Sequence, residues 1–348
     1  MMNDLKMIPL VYEVDVDNRW LVDIPVSVMI WTRPDLQREQ FEVLRKARPS
    51  VLFLISDGGR NNHETALIAE SRAVFDDIDW HCTVHKLFWD SNQGMYSVSR
   101  LANSYKWKNA DRMILLEDDI IPSVSYFRFC KEMLDKYEDD LRVLGVCGMN
   151  HEGVTKGTGS DYIFSREASI WGMAIWRRTF ENRNFTYSSN DYALKTISES
   201  ARLNPDFQNR LRGYANNDVY EGHMPSSEFW YAFDVFAQNQ LYIVPTKNLI
   251  SNKGCTSNAA HSAELKILPK GIQRVFNMDI YELEFPLKEP QFITPDIRYQ
   301  NAVYRIMGVG HPLVRTHRRM SRALRILRYQ GVSRLFSKLK GAVNRAES

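Results

Sequence analysis

Over the first half of the chain, short apolar runs alternate with helix-length stretches. Ile24 to Trp31, Val51 to Ser56, Cys82 to Phe88, Arg112 to Leu116 and Arg142 to Met149 are of strand length and rich in β-branched or other large apolar side chains. Between them, Leu36, Phe41, Leu44 and Ala47 recur at helical spacing, and residues 63–77, 97–108 and 126–137 read as further helices. This alternation predicts an α/β fold, Rossmann-like in outline, with βαβ units around a mostly parallel sheet and flanking helices. From about residue 151 to 265 the pattern loosens and Trp, Asn and Ser become frequent, which reads as insertions ahead of a closing strand, Leu241 to Pro245. No internal repeat or low-complexity linker interrupts the chain. The expected organisation is an N-terminal extension over 1–23, one α/β domain over 24–265, an extension packing on it over 266–311, and a basic helical tail over 312–348.

Composition narrows the class. At 348 residues, 44% of them hydrophobic, the chain can bury a substantial core. No run approaches the roughly 18 apolar residues of a spanning helix, and the first residues lack a basic segment followed by an apolar one, so neither a membrane span nor a secretory leader is expected. Cys82, Cys130, Cys147 and Cys255 stand far apart, without a C-x-x-C pair or zinc spacing, which favours a reducing, cytoplasmic setting. The net charge of +3 hides a segregation: residues 312–348 hold ten Lys or Arg against one acid, Glu347, which leaves 35 basic and 41 acidic residues on the body.

In open parallel sheets, ligands bind outside the carboxyl ends of the strands. Arg33 follows the first expected strand, Asp57 the second, Asn92 and Gly94 the third, and Glu117, Asp118 and Asp119 the fourth. Each has an ordinary explanation, since an acidic triplet is often a solvated loop and DGGR (Asp57 to Arg60) is a tight turn by default. Three adjacent carboxylates at the end of a buried strand nevertheless repel one another and lose hydration unless a cation or ribose hydroxyls compensate. A divalent ion shared between one carboxylate and a diphosphate meets that need. No G-x-G-x-x-G follows the first strand and no G-x-x-x-x-G-K-[ST] occurs, so a glycine cradle for phosphates is missing. The acidic run DKYEDD (Asp135 to Asp140) reads as a solvated helix end.

The segments TRPDLQREQFEVLRKARPSVLFLISDGGR, NQGMYSVSR, DRMILLEDDIIPSVSYFRFCKEMLDKYEDDLRVLGVCGMN, YIFSREASIWGMAIWRRTF and LYIVPTKNLISNKGCTSNAAH lie within residues 24–262. Together they resemble the GT-A fold of nucleotide-sugar glycosyltransferases, and within it the bacterial relatives of the enzyme family that starts complex N-glycans by adding N-acetylglucosamine. The resemblance implies transfer of a hexose or N-acetylhexosamine from a nucleotide-diphosphate sugar, expected to be UDP-linked, to a hydroxyl of a glycan in surface polysaccharide biosynthesis. It implies Asp119 as the protein ligand of Mn²⁺ or Mg²⁺, with Asp118 and Glu117 facing the ribose and the water around the metal. Arg33 and Asp57 would address the base and ribose, Asp57 accepting from the imide N–H if the base is uracil. Asn92 and Gly94 would shape the nucleotide loop, Trp171 and Gly172 would lie under the donor sugar or the acceptor, and His261 would be a second metal ligand or a diphosphate contact.

The sequence departs from that pattern in three places: Met173 stands where an aromatic is commoner, Ser227-Glu228 replaces Trp-Asp, and NKGCTSNAAH replaces an NIGFG-type segment. Glu228 keeps a carboxylate and is the expected general base, with Asp234 as the alternative, because such a base needs reach and a suitable pKa more than one residue type. Single displacement with inversion is expected, and a retaining course stays open. Two other classes remain: a non-catalytic sugar-nucleotide-binding module, which would explain the absent Trp-Asp, and a sugar nucleotidyltransferase, which would be expected to carry a Gly-rich basic loop after the first strand. In the tail, Met320, Leu324 and Leu327 share one helical face, and after Gly331 Leu335, Phe336, Leu339 and Val343 share another, with Arg and Lys between. This pattern suits an anionic membrane surface bearing a lipid-linked acceptor, on the inner face of the cell membrane, and no nucleic-acid partner is expected. The other readings of the tail are a pair of helices packing on the body through their apolar stripes, or a contact with nucleic acid.

Overall fold

The computed structural model describes residues 8–181, 191–202, 204–216, 226–255, 265, 266, 268, 270–309 and 312–330. Its main sheet contains β1 (Leu10–Val14), β2 (Val22–Ile30), β3 (Pro49–Ser56), β4 (Cys82–Phe88), β5 (Arg112–Leu116), β7 (Val143–Cys147), β8 (Tyr162–Ser165), β9 (Met173–Trp176) and β10 (Leu241–Pro245). Their spatial order is β1-β4-β3-β2-β5-β9-β7-β10-β8, while β6 (Ile120–Pro122) and β11 (Ile250–Asn252) form a separate antiparallel ribbon. Strands β2, β3, β4, β5, β7 and β10 run the same way, and β1, β8 and β9 oppose them. The sheet is therefore mostly parallel and flanked by helices, an α/β arrangement compatible with a Rossmann-like fold.

Helix α1 (Pro34–Ala47) shows how local sequence and burial agree. Pro34 opens it, Asp35 lies in the first turn, and Arg45 and Lys46 lie in the last, which suits the helix dipole. Its buried stripe is Leu36, Gln37, Gln40, Phe41, Leu44 and Ala47, and it stops at Arg48, whose left-handed conformation (φ 46°) lets its N–H bond Leu44 O. Further helices are α2 (Asn62–Ala73), α3 (Met95–Asn109), α4 (Val124–Lys136), α5 (Arg177–Glu181), α6 (Asp191–Ser200), α7 (Pro205–Asn216) and α8 (Ser227–Ala237). Phe41 and Leu44 of α1 and Phe127 and Leu134 of α4 pack with Val26 and Val28 of β2 in one core. Val98 of α3, Val235 of α8 and Tyr299 pack with Phe53 and Ile55 of β3 in another. Leu52 and Leu54 of β3 lie in the first core, so alternate side chains of β3 serve opposite faces. Helices α7 and α8 close a third, smaller cluster around Phe207 and Phe229.

The structure differs from the sequence expectation at both ends of the sheet. Residues assigned to an N-terminal extension form β1 and the start of β2, with Leu10 to Val14 paired antiparallel to β4. Their edge position leaves them with few buried side chains, so their pattern carries little signal. Within the loosely patterned middle, β9 inserts between β5 and β7 and runs against both. Towards the C-terminus, Tyr299 and Val303 of the helix Ile297–Met307 are buried in the second core. The following helix, Pro312–Gln330, meets the body through buried Ile326 and an Arg325 Nη1 bond to Leu268 O at 2.6 Å. Leu313, Met320, Leu324 and Leu327 remain exposed on it. No described helix is long and apolar enough to cross a membrane, and Leu335, Phe336, Leu339 and Val343 lie outside the described residues.

One core residue carries a pH signature. Lys106 of α3 is buried against β2, its Nζ donates to Ser27 Oγ at 3.0 Å, and burial pushes its ammonium down to about 7. Between about pH 7 and the ordinary lysine value near 10.5, the unfolded chain holds a proton that the folded chain does not, so Lys106 favours folding more as pH rises through that window. Lys106→Met is therefore expected to raise stability at pH 7 by on the order of 3 kcal/mol, with the gain shrinking towards pH 10. Urea unfolding at both pH values checks it, and a gain independent of pH contradicts it.

Candidate active site

The chain passes from β2 through β3 to β4 on one side of the sheet, then returns to lay β5 against the other side of β2. Strand order reverses between β2 and β5, and such a reversal opens a crevice at the carboxyl ends where ligands bind. The structure brings Arg33 and the acidic triplet together there. Arg33 Nη1 lies 2.9 Å from both carboxylate oxygens of Asp118 and 3.2 Å from Asp119 Oδ2. These three side chains are about 21%, 16% and 16% exposed, so the pairing is largely shielded from water.

One guanidinium faces three carboxyl groups. Desolvation, with the like charge of Asp119, holds the Asp118 carboxyl up at about 6 against the opposing pull of Arg33. Glu117 is raised to about 7, first by desolvation and then by Asp119, Asp118 and Glu228. Glu117 is nevertheless open to solvent on one side, so a ligand or cation can reach it. Among the described residues, no three His, Cys, Asp or Glu side chains converge as a metal cage. The donor set instead fits a hard cation that takes one or two carboxylates and completes its shell with phosphate oxygens and water. The excess negative charge is what such a cation would offset.

The carboxylate turn is tied to the helix that carries Arg33. Fully buried Gln40 of α1 donates through Nε2 to Glu117 O (2.9 Å) and Ile120 O (2.7 Å), and Gln37 Nε2 holds Gln40 Oε1 at 3.0 Å. On the other side, the β6–β11 ribbon brings Lys253 N–H to Asp119 O (2.9 Å) and Asn252 Nδ2 to Asp119 Oδ1 (3.4 Å). A Cβ on Gly254 would lie 2.2 Å from Asp119 Oδ2, so only glycine permits this approach without movement. Gly172 lies against the same ribbon: its φ is +58°, and a Cβ there would meet Ile250 Cγ2 at 2.9 Å. Sequence reasoning missed Gln37, Gln40, Asn252 and Gly254. The glutamines left a readable signal as two polar residues within the apolar stripe of α1.

Asp57 is held by hydrogen bonds from two loops. Its Oδ1 accepts from the N–H groups of Gly58 and Gln93, both at 2.8 Å, and its Oδ2 accepts from Asn92 Nδ2 and Gly94 N–H, both at 3.0 Å. A carboxylate has about four acceptor positions, so a bond to a base would have to replace one of these. Asn92 also donates to Gly58 O at 2.9 Å, and Gly94, with φ +81°, caps α3. The three residues lock the two loops together. A cavity of 330 Å³ lies behind these loops, lined by Gly58, Arg72 and Asp76, and does not touch the acidic triplet.

Glu228 stands in the first turn of α8, whose N-terminus is capped by the Ser226 side chain accepting from Phe229 N–H. It is exposed, lines a cleft of 520 Å³ with Trp171 and Glu167, and contributes like charge to both Glu117 and Glu167. It thus lines the cleft while lying near enough to Glu117 for their charges to repel. Asp234, the alternative base, is buried further along α8, about 9 Å in rise from Glu228, and does not line the cleft. Trp171 packs on Phe276 with ring centroids 5.1 Å apart. His261 lies outside the described residues. Glu167, unremarked in the sequence, is raised to about 7, mainly by desolvation, although Tyr304, Asn204 and Arg210 favour its charged form.

The sequence matches no protein-family model and no curated protein sequence.

Gln40→Leu leaves two carbonyls of the carboxylate turn without their donor and is expected to cost about 1–3 kcal/mol of stability, the usual penalty for an unsatisfied buried polar group. Chemical denaturation measures this. An undiminished midpoint would mean that the ribbon alone holds the turn.

Proposed function

We propose that the chain is a metal-dependent glycosyltransferase that moves a sugar from a nucleoside-diphosphate sugar, UDP-linked by preference, to a hydroxyl of a glycan acceptor in surface polysaccharide synthesis. The observation that carries this reading is the placement of Arg33, Asp118 and Asp119 at the strand-order reversal, with Glu228 close enough to raise Glu117 from the cleft side. Asp119, with Asp118 or Glu117 beside it, would hold Mn²⁺ or Mg²⁺ through the diphosphate, and the bound cation supplies positive charge to the leaving group. Arg33, already directed at the triplet, offers its guanidinium to the same phosphates. Trp171 gives the sugar an apolar face. Glu228, on the cleft lining, accepts the proton of the attacking hydroxyl as the new C–O bond forms and the bond to the diphosphate breaks. Attack from the face opposite the leaving group inverts the anomeric carbon. The three residues between β2 and α1, Trp31 to Arg33, leave no room for the phosphate loop of a nucleotidyltransferase.

Two substitutions separate this reading from a binding module. Asp119→Asn is expected to abolish cation-dependent binding and hydrolysis of a nucleotide sugar, read as released nucleoside diphosphate. Glu228→Gln should keep donor affinity and slow transfer by about two to four orders of magnitude. Donor binding without any turnover in the parent chain would favour the module instead.

The acceptor is proposed to be lipid-linked and met at an anionic membrane surface on the cytoplasmic side. Support comes from Leu313, Met320, Leu324 and Leu327, which are 75%, 62%, 64% and 41% exposed and share one face of the helix Pro312–Gln330, a segment with six Arg and no acid. Basic residues near such a surface contribute about 1 kcal/mol each. Vesicles of phosphatidylglycerol at moderate salt are expected to sediment the full chain, and Leu313→Ser/Met320→Ser/Leu324→Ser should leave it in the supernatant. Equal sedimentation of both proteins would remove the helix from this role.

A further inference from the structure

We infer that the cleft beside Glu228 is a binding subsite for an uncharged sugar residue, with Glu167 as the group that recognises its hydroxyls. As the site of the attacking hydroxyl this rests on the transferase reading above, but as a sugar site it stands on its own observations. Glu167 lies on the loop after β8, and its Oε1 accepts from Tyr304 Oη (2.7 Å) and Asn204 Nδ2 (3.0 Å). Two donors on one oxygen fix the orientation of the carboxylate. Its Oε2 has no hydrogen-bond partner among the described residues, although the side chain lines a 520 Å³ cavity. A partly buried carboxylate with a free oxygen calls for donors, and the vicinal hydroxyls of a sugar supply them in pairs.

The walls sharpen the ligand class. Trp171 provides a broad apolar surface at the rim, suited to the C–H face of a pyranose. Glu167, Asp206 and Glu228 place three carboxyl groups in the cleft, and among the described lining side chains the basic ones are Arg210 and His151, whose imidazole burial holds down at about 4. An anionic ligand would meet repulsion here, so a glycan carrying a diphosphate-linked lipid must keep that end outside. The volume lies within the range of small-ligand sites, about 300–1,000 Å³. Tyr304 comes from the helix Ile297–Met307, which is itself anchored by buried Tyr299 and its 3.2 Å contact with His151 Nδ1. The C-terminal extension is thereby part of the recognition surface. Because Glu228 lines the same cleft, a sugar held by Glu167 would share it with the proposed base.

Saturation-transfer NMR on the full chain tests this without nucleotide. The probes are the methyl glycosides of glucose, galactose, mannose and N-acetylglucosamine, the corresponding β-linked disaccharides, and methyl glucuronide as the anionic comparison. At least one neutral glycoside is expected to receive saturation and methyl glucuronide none. Glu167→Gln retains an oxygen that can accept from Tyr304 and Asn204, so it should fold normally, as its thermal midpoint will show. It should nonetheless weaken the neutral glycoside about ten- to a hundredfold, as expected for loss of a charge-assisted hydrogen bond. Equal binding by the parent and Glu167→Gln overturns the proposal, as does glucuronide binding at least as well as the neutral probes, or no glycoside binding at all. If glycosides bind in this way while nucleotide sugars do not, the donor reading fails and this subsite stands; the reverse result removes only the subsite.

Discussion

Three neighbouring carboxyl groups faced by a single guanidinium, at the point where the strand order reverses, are the constraint around which the rest of the site is arranged. Burial and neighbouring like charges make half-buried Asp118 and Glu117 resist ionisation, although Glu117 is open to solvent on one side, and the fold keeps them there against both desolvation and mutual repulsion. Helix α1 answers twice. Its preceding residue, Arg33, supplies the positive charge, and its buried Gln40 fixes the backbone of the turn from beneath. The β6–β11 ribbon closes the other side so tightly that Gly254 meets Asp119 with no space for a methyl group. A local arrangement this costly, braced from two directions, is where a protein is expected to trade stability for function.

Charge then divides the region into two compartments. On the sheet side, the triplet and Arg33 form a place where, on the proposed reading, a cation and phosphates would compensate each other. The cleft that Glu228 lines is acidic, partly apolar and bounded by Tyr304 of the C-terminal extension. Glu228 couples the two, since its charge is felt by both Glu117 and Glu167. The proposed group transfer would use these two parts, with the leaving group stabilised at the triplet and the nucleophile and its proton acceptor in the cleft.

Much of this was legible in the amino-acid sequence where local pattern and tertiary role coincide. The expected strands Cys82 to Phe88, Arg112 to Leu116 and Leu241 to Pro245 match β4, β5 and β10 residue for residue, because Met113 to Leu116 and Leu241 to Pro245 are unbroken apolar runs and Cys82, Val84, Leu87 and Phe88 mark β4 despite the polar residues between them. Arg33 and the triplet were legible as strand-end residues, although their contact depends on a crossover that no local pattern encodes. Asp57 was picked out for the same reason, yet its four hydrogen bonds come from a loop more than thirty residues later as well as from its own turn. Glu167 was invisible because its partners, Asn204 and Tyr304, are distant in sequence and a single Glu in FSREAS carries no period. The opposed strand β9 was hidden as well, since a four-residue apolar run does not state its direction.

The central claim is that Asp119 and a nucleoside diphosphate hold one divalent cation between them, neither sufficing alone. Electron paramagnetic resonance of Mn²⁺ tests this directly, through the sharp signal of the aqueous ion. The account predicts little loss of that signal when the protein is added by itself, and a loss with UDP and protein together that clearly exceeds the loss with UDP alone. A spectrum of Mn²⁺ and UDP unchanged by the protein, or Mn²⁺ bound as tightly without nucleotide as with it, would contradict the account.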